Sequence, residues 1–140
     1  MVAERNAGRT RVLGVSNVGV WHLQVQAEHH SELPAFVQNR CFARFGWDRE
    51  VRAFCREHKI RYQGFSLLTA NPEVLSSKLV REIASRNNAT PAQVVFRFSI
   101  AVGMLPLTGT SDPTHMAEDL GSHLVELSEK EVAAIESIAG

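Results

Sequence analysis

Ser16 and Asn17 close the apolar run Arg11-Val-Leu-Gly-Val15, and a hydroxyl beside a carboxamide can both donate to and accept from a polar ligand. Similar transitions recur at Gln38, which closes Pro34-Ala-Phe-Val37, at Phe65-Ser66, and at Leu107-Thr-Gly-Thr110-Ser111. Buried parallel strands read as continuous apolar runs, and α/β folds hold ligands at the carboxyl ends of their strands. Four polar ends of differing composition are what four strands around one ligand would present. For Ser16 and Asn17 the competing reading is capping of the next helix; for Phe65 it is plain core packing.

Other chemistries are weaker. His22, His29 and His30 lie in one helical stretch, but the adjacent pair points in different directions and no carboxylate completes a metal triad, so no metal is expected. Arg40, Arg44, Arg49 and Arg52 form a basic cluster diluted by Asp48 and Glu50, which reads as a solvated face. Fifteen basic and fifteen acidic residues cancel in the 140-residue chain, leaving no field for nucleic acid or an anionic membrane. Apolar runs are too short to span a membrane, and the N-terminus lacks a signal-peptide core. Cys41 and Cys55 have neither metal-type nor redox-type spacing and read as reduced thiols in a cytoplasmic protein. Gly-x-Gly-x-x-Gly and Gly-x-x-x-x-Gly-Lys patterns are absent.

The elements that must position the polar ends alternate along one undivided domain, 1–140. Residues 3–7 read as a helix stopped by Gly8, 11–15 as a strand, 20–29 as a helix and 34–38 as a second strand. An amphipathic helix over 47–58 carries Trp47, Val51, Phe54 and Cys55 on one face, a third strand covers 60–65, and Asn71-Pro72 makes a turn. A helix over 77–86 follows. Thr90, Pro91 and Gln93 then give a capping box with proline at the first position, opening a helix that ends near Gly103. Residues 104–107 are a fourth strand, Asp112-Pro113 opens a helix through Leu120, and Ser128 with Glu131 starts a last one. The pattern predicts an α/β fold with a parallel sheet, either a small open sheet or part of a (β/α)8 barrel. A whole barrel takes roughly 250 residues, so four strands make about half of one.

The motifs resemble the second half of the aldo-keto reductase fold. Gly14-Val-Ser-Asn17 is similar to the end of that family's fifth strand, and Pro34-Ala-Phe-Val-Gln38 to its sixth. Residues 51–68, ending Phe65-Ser-Leu-Leu68, resemble the seventh helix-strand unit. Thr90-Pro-Ala-Gln-Val-Val-Phe-Arg97 resembles a characteristic helix of the family. Leu107-Thr-Gly-Thr-Ser-Asp-Pro113, with Met116, Glu118, Asp119 and Leu120, resembles the eighth strand and the helix after it. Leu127-Ser-Glu-Lys-Glu131 is similar to the closing helix, and residues 1–9 to the end of the fourth.

The resemblance implies a partial TIM barrel and part of an NAD(P)H site. Ser16, Asn17 and Gln38 match positions that hydrogen-bond the nicotinamide carboxamide, and Phe65 stands where an aromatic ring, more usually tyrosine, stacks on it. Ser66, Leu67 and Leu68 match the segment lining the pyrophosphate. Glu118 and Asp119 match positions holding the adenine, and Thr110 and Ser111 could bond a ribose or phosphate. Gly109 and His115 stand where NADPH-preferring members carry lysine and arginine, which implies NADH use or tolerance of both cofactors, with weak or vestigial binding.

The aspartate, tyrosine, lysine and histidine of the family's hydride transfer have no counterparts here, and Tyr62, the only tyrosine, reads as mid-strand. No catalytic residue is therefore carried over. The expected protein is non-catalytic alone; the alternative is a carbonyl-reducing oxidoreductase completed by an N-terminal half or a partner. Four strands cut from a barrel leave two open edges, which predicts a homo-oligomer formed through them.

Overall fold

The computed structural model describes residues 1–30 and 32–138. Its centre is a sheet of four parallel strands in the order β1-β2-β3-β4, namely Gly14–Ser16, Phe36–Arg40, Arg61–Phe65 and Leu105–Pro106. Helices fill the connections: α2 (Val20–His29) after β1, α3 (Arg49–Glu57) after β2, and α4 (Pro72–Ser76), α5 (Lys78–Arg86) and α6 (Pro91–Ala101) after β3. Helix α1 (Val2–Asn6) precedes the sheet, and α7 (Pro113–Gly121) and α8 (Glu129–Glu136) follow it. Sequential parallel strands joined by helices are the arrangement of a partial (β/α)8 barrel.

Burial alternates along the middle strands. Val37, Asn39, Tyr62 and Gly64 are buried on the helix side, whereas Phe36, Gln38, Gln63 and Phe65 are half-buried on the other face. Leu23, Val37, Trp47, Val74, Val80, Phe98 and Ile135 are fully buried in the helix-side core, each contributing about 1.5–3 kcal/mol by leaving water. Helix α6 lies at its centre and packs on α5, α7, α8 and β4. Its start is the expected capping box: the Gln93 N–H donates to Thr90 Oγ1, and the Thr90 N–H donates to Gln93 Oε1 at 2.9 Å.

Several expectations shift. The first strand occupies Gly14–Ser16 rather than 11–15, because pairing begins only where the Ala35 N–H reaches the Leu13 carbonyl. Ser16 is therefore the last residue of the strand rather than beyond it, and Gln38 lies mid-strand because β2 runs on to Arg40. The helix expected from Trp47 begins at Arg49. Gly46, Trp47 and Asp48 have φ of 68°, 57° and 54°, a left-handed stretch that no α-helix accommodates. Asn71-Pro72 opens the short helix α4 rather than a bare turn.

Arg52 is no solvated cation. It is 6% exposed, and it donates to the carbonyls of Trp47 (2.7 Å) and Val102 (3.1 Å) and to the Glu136 carboxylate. The left-handed stretch persists because its neighbours hold it: Trp47 Nε1 donates to the Ile135 carbonyl at 3.3 Å, and its ring packs on Phe98 with centroids 5.0 Å apart.

Candidate functional site at the carboxyl ends of the strands

Parallel register carries the polar segments to one rim. Ser16 pairs with Gln38, Gln38 with Gln63, and Gln63 with Leu105, while Arg40 pairs with Phe65 two residues further along. The Leu107 N–H donates to the Gly64 carbonyl at 2.8 Å, so segment 108–111 leaves the sheet beside Phe65 and Ser66. Ser16, Asn17, Gln38, Phe65 and Ser66 thus gather with Gly109, Thr110 and Ser111 at the end where strands point their last residues.

Their hydrogen bonds show what each can still offer. The Ser16 hydroxyl donates to the Gln38 carbonyl at 2.8 Å, so its proton is engaged across the ladder and it does not cap α2. Capping falls instead to His22, whose Nδ1 accepts the Gly19 N–H at 3.2 Å. Asn17 sits at φ 56°, where asparagine is better tolerated than most residues, and its N–H also donates to the Gln38 carbonyl. Its side-chain amide has no partner among the described residues. Gln38 Nε2 donates to Gln63 Oε1 at 3.2 Å, leaving the Gln38 oxygen open. A primary carboxamide needs one acceptor for its N–H and one donor for its carbonyl; Asn17 supplies both and Gln38 a second acceptor. These residues fit a nicotinamide.

Other matched positions divide. Ser66 turns the chain at φ 56°. Leu67 is 1% exposed with its side chain in the core, while Leu68 is half-buried against that core. Thr110 Oγ1 accepts the Asp112 N–H at 3.1 Å and shapes the turn into α7; Ser111 and His115 are exposed. Asp112 caps α7 through the N–H groups of Thr114 and His115, and these backbone donors, Thr114 foremost, hold its carboxyl below the usual range. A Cβ added at Gly109 would meet open space.

Glu118 and Asp119 do not share a wall. Asp119 faces the free edge of β4 and accepts from Thr108 Oγ1 at 2.7 Å. Glu118 lies towards Thr90 and Gln93, and its carbonyl accepts from Gln93 Nε2 at 2.9 Å. Gln93 thus serves both the α6 cap and the seating of α7.

Sequence reasoning missed Gln63 and placed Arg40 only in a solvated basic cluster; both share a sheet face with Gln38, and strand parity was the signal available. It also missed a buried network behind the sheet. Asn39 donates to the Val18 carbonyl (2.7 Å) and to Asp48 (2.8 Å), and Tyr62 donates to Asp48 at 2.7 Å. Burial foremost, with negative neighbours, pushes the Tyr62 hydroxyl far above its usual range. Burial likewise raises the Cys41 thiol to about 12 and the Cys55 thiol to about 11, so neither is a nucleophile near neutral pH. Among the described residues no three His, Cys, Asp or Glu side chains are gathered as a metal site, and no helix is long and apolar enough to cross a membrane.

Beyond the rim, a groove of about 990 Å³ follows the open edge of β4. Ile100, Leu105, Pro106, Met116 and Leu120 line it, with Thr108 and Asp119 among its polar residues.

Known proteins share this architecture. The chain is 31% identical over 138 residues to 2,5-diketo-D-gluconic acid reductase B of Corynebacterium sp., covering 99% of this chain and 50% of that protein. It is 27% identical to methylglyoxal reductase DkgA of Salmonella typhimurium, over 96% of this chain and 49% of that one. The crystal structure of Gox0644 in its apo form superposes with a TM-score of 0.87 at 29% identity, covering 99% of this chain and 51% of that chain. A Gox0644 mutant in complex with NADPH gives 0.86 at 29% identity, covering 98% and 50%. The chain spans about half the length of the relatives it matches. With four parallel strands presenting this rim and a match to the Aldo/keto reductase family over residues 3–139, the chain belongs to that family.

Proposed function

We propose that these residues are the cofactor side of an NAD(P)H-dependent carbonyl-reducing site, corresponding to the C-terminal half of the barrel, and that they are not catalytic on their own. The observation that carries this reading is the Ser16–Gln38–Gln63 row, ending in the unpartnered Asn17 amide at the rim. The only tyrosine is held behind the sheet, where it cannot give a proton to a carbonyl at the rim. A bound nicotinamide dinucleotide would supply a hydride; the chain would contribute amide contacts through Asn17 and Gln38 and an aromatic wall at Phe65. The NADPH complex of a relative supports the cofactor class, and the reductase names of its relatives support the reaction class.

Among the described residues the two outer strands, β1 and β4, each have a single neighbour. Closing them is favourable, and a second copy can do so by pairing β4 of each protomer with β1 of the other into eight parallel strands. The alternative occupant is a separate N-terminal half carrying the proton donor, which would restore reductase activity. Two buried thiols suit a reducing compartment and support a cytoplasmic location.

NADH and NADPH titrations followed by quenching of Trp21 and Trp47 test the cofactor side. Saturable binding without aldehyde reduction is expected. No saturation below millimolar would reject cofactor binding, and turnover by the pure chain would reject the non-catalytic reading. Light scattering should give twice the 15.5 kDa chain mass; a clean monomer at micromolar concentration would reject self-association.

A further inference from the structure

Arg40 and Arg44 are stacked on one aromatic ring at the mouth of the rim. Their guanidinium carbons lie 5.4 and 4.9 Å from the Phe42 centroid, and Arg44 also lies 4.9 Å from that of Phe45. The two carbons are thus no more than about 10 Å apart, because both rest against the same ring. Among the described residues, neither guanidinium is in a hydrogen bond or an ion pair, unlike Arg49, Arg52 and Arg86, which hold glutamates. Two cations are therefore held against one ring with their donors open.

Their place is set from below. Arg40 ends β2 on the same sheet face as Gln38, directly beyond it, and pairs with Phe65. The Phe42 carbonyl accepts the N–H groups of Phe45 (3.2 Å) and Trp47 (3.1 Å). On either side of Phe42, the fully buried Asn71 accepts the Ala43 N–H at 2.6 Å and donates to the Cys41 carbonyl at 3.1 Å. The loop is fastened, and the arginines project from it. Asp48, the nearest carboxylate in sequence, is engaged by Asn39 and Tyr62 behind the sheet and does not neutralise them.

We propose that Arg40 and Arg44 form an oxyanion subsite that takes the carboxylate of an anionic carbonyl compound, placing its carbonyl over the rim at Gln38 and Phe65. The proposal rests on the carboxyl-end rim being the reaction site, and it names the substrate class. Guanidinium forks match carboxylates bidentately, and stacking on an aromatic ring leaves their edges free for that contact. The exposed ring of Phe45 beside them suits an acid with an aryl or alkyl body. A dinucleotide pyrophosphate shares the oxyanion chemistry, and the experiment separates the two sources.

The test uses phenylpyruvate and its methyl ester as probes of the 140-residue chain, with binding followed by calorimetry and by the Nε–H resonances of the two arginines. The acid should bind at least about tenfold more tightly than the ester, and the double variant Arg40→Gln/Arg44→Gln should lose that difference. NADH and NADPH titrations of the same variant should be unchanged. Equal binding of acid and ester overturns the subsite. Loss of dinucleotide binding together with acid binding assigns the arginines to the pyrophosphate and also overturns it. Arginine-dependent acid binding by a chain that binds no dinucleotide sustains the subsite while rejecting the cofactor reading. Both side chains are exposed and unbonded, so the variant retains the fold; unchanged thermal unfolding checks this.

Discussion

The Tyr62 hydroxyl donates to the Asp48 carboxylate at 2.7 Å behind the sheet, one residue out of phase with Gln63, which faces the other way beside Gln38. A single step along β3 thus separates the residue that ties the left-handed turn 46–48 to the sheet from one that borders the rim. Removing the hydroxyl in Tyr62→Phe leaves a partly buried carboxylate with one donor fewer, a loss of about 2 kcal/mol for a charge-assisted bond. Urea denaturation should show that loss, while NADH and NADPH titrations stay unchanged. A fall in dinucleotide affinity without loss of stability would place Tyr62 in the binding site instead.

Helix α3 ends in a Schellman turn: the Ile60 N–H reaches the Cys55 carbonyl at 2.8 Å, and the Lys59 N–H the Arg56 carbonyl at 3.3 Å. Lys59 stands at φ 57°, where a Cβ is strained and glycine is not. Its side chain is exposed and makes no ion pair among the described residues. Lys59→Gly should raise stability by about 1 kcal/mol, read as a higher urea midpoint with unchanged slope. A lower midpoint would mean that flexibility gained in the unfolded chain outweighs the strain relieved.

Glu131 is held down to about 2 from an ordinary 4.5, first by the Arg86 hydrogen bond and then by the backbone of Ser128. A carboxyl depressed in the folded state adds stability above its unfolded pKa and loses it as pH falls through the folded one. The difference in urea midpoint between the natural chain and Glu131→Gln should be full above pH 4.5 and vanish towards pH 2. A difference independent of pH over that window would show that the carboxylate charge contributes nothing.

Gly109 has open space where a Cβ would go, and His115 is exposed. Installing a fixed positive charge, as in Gly109→Lys or His115→Arg, should favour NADPH over NADH by about tenfold, the worth of one charge-assisted hydrogen bond. The ratio of dissociation constants measures it. Equal gains for both dinucleotides would place these residues away from the 2′-phosphate.

Local signals were legible wherever a few neighbouring residues settle the outcome. Thr90-Pro91 with Gln93, Asp112-Pro113 and Ser128 with Glu131 each start a helix where expected, because a cap is a contact over three residues. Gly8 and Gly103 mark two helix ends at positive φ, but Lys59 and Asn88 adopt the same conformation without glycine, driven by the helix hydrogen bonds they close. The polar ends at Ser16, Gln38, Phe65 and Thr110 were visible as residue types. Their convergence needed the register that sets Ser16 beside Gln38 and Arg40 beside Phe65.

By itself the sequence determined the alternation of strands and helices, the helix starts and the family likeness, all of which are written in local pattern and motif order. Tertiary structure alone decided the burial and the partners of the polar residues. It buried Arg52 against Glu136 instead of leaving it in solvent, turned Leu67 into the core, and sent Asp119 and Glu118 to different walls. The physical reason is that burial and hydrogen-bond partnership are set by chain segments far apart in sequence. Arg52 and Glu136 meet across 84 positions, and no local signal carries that distance.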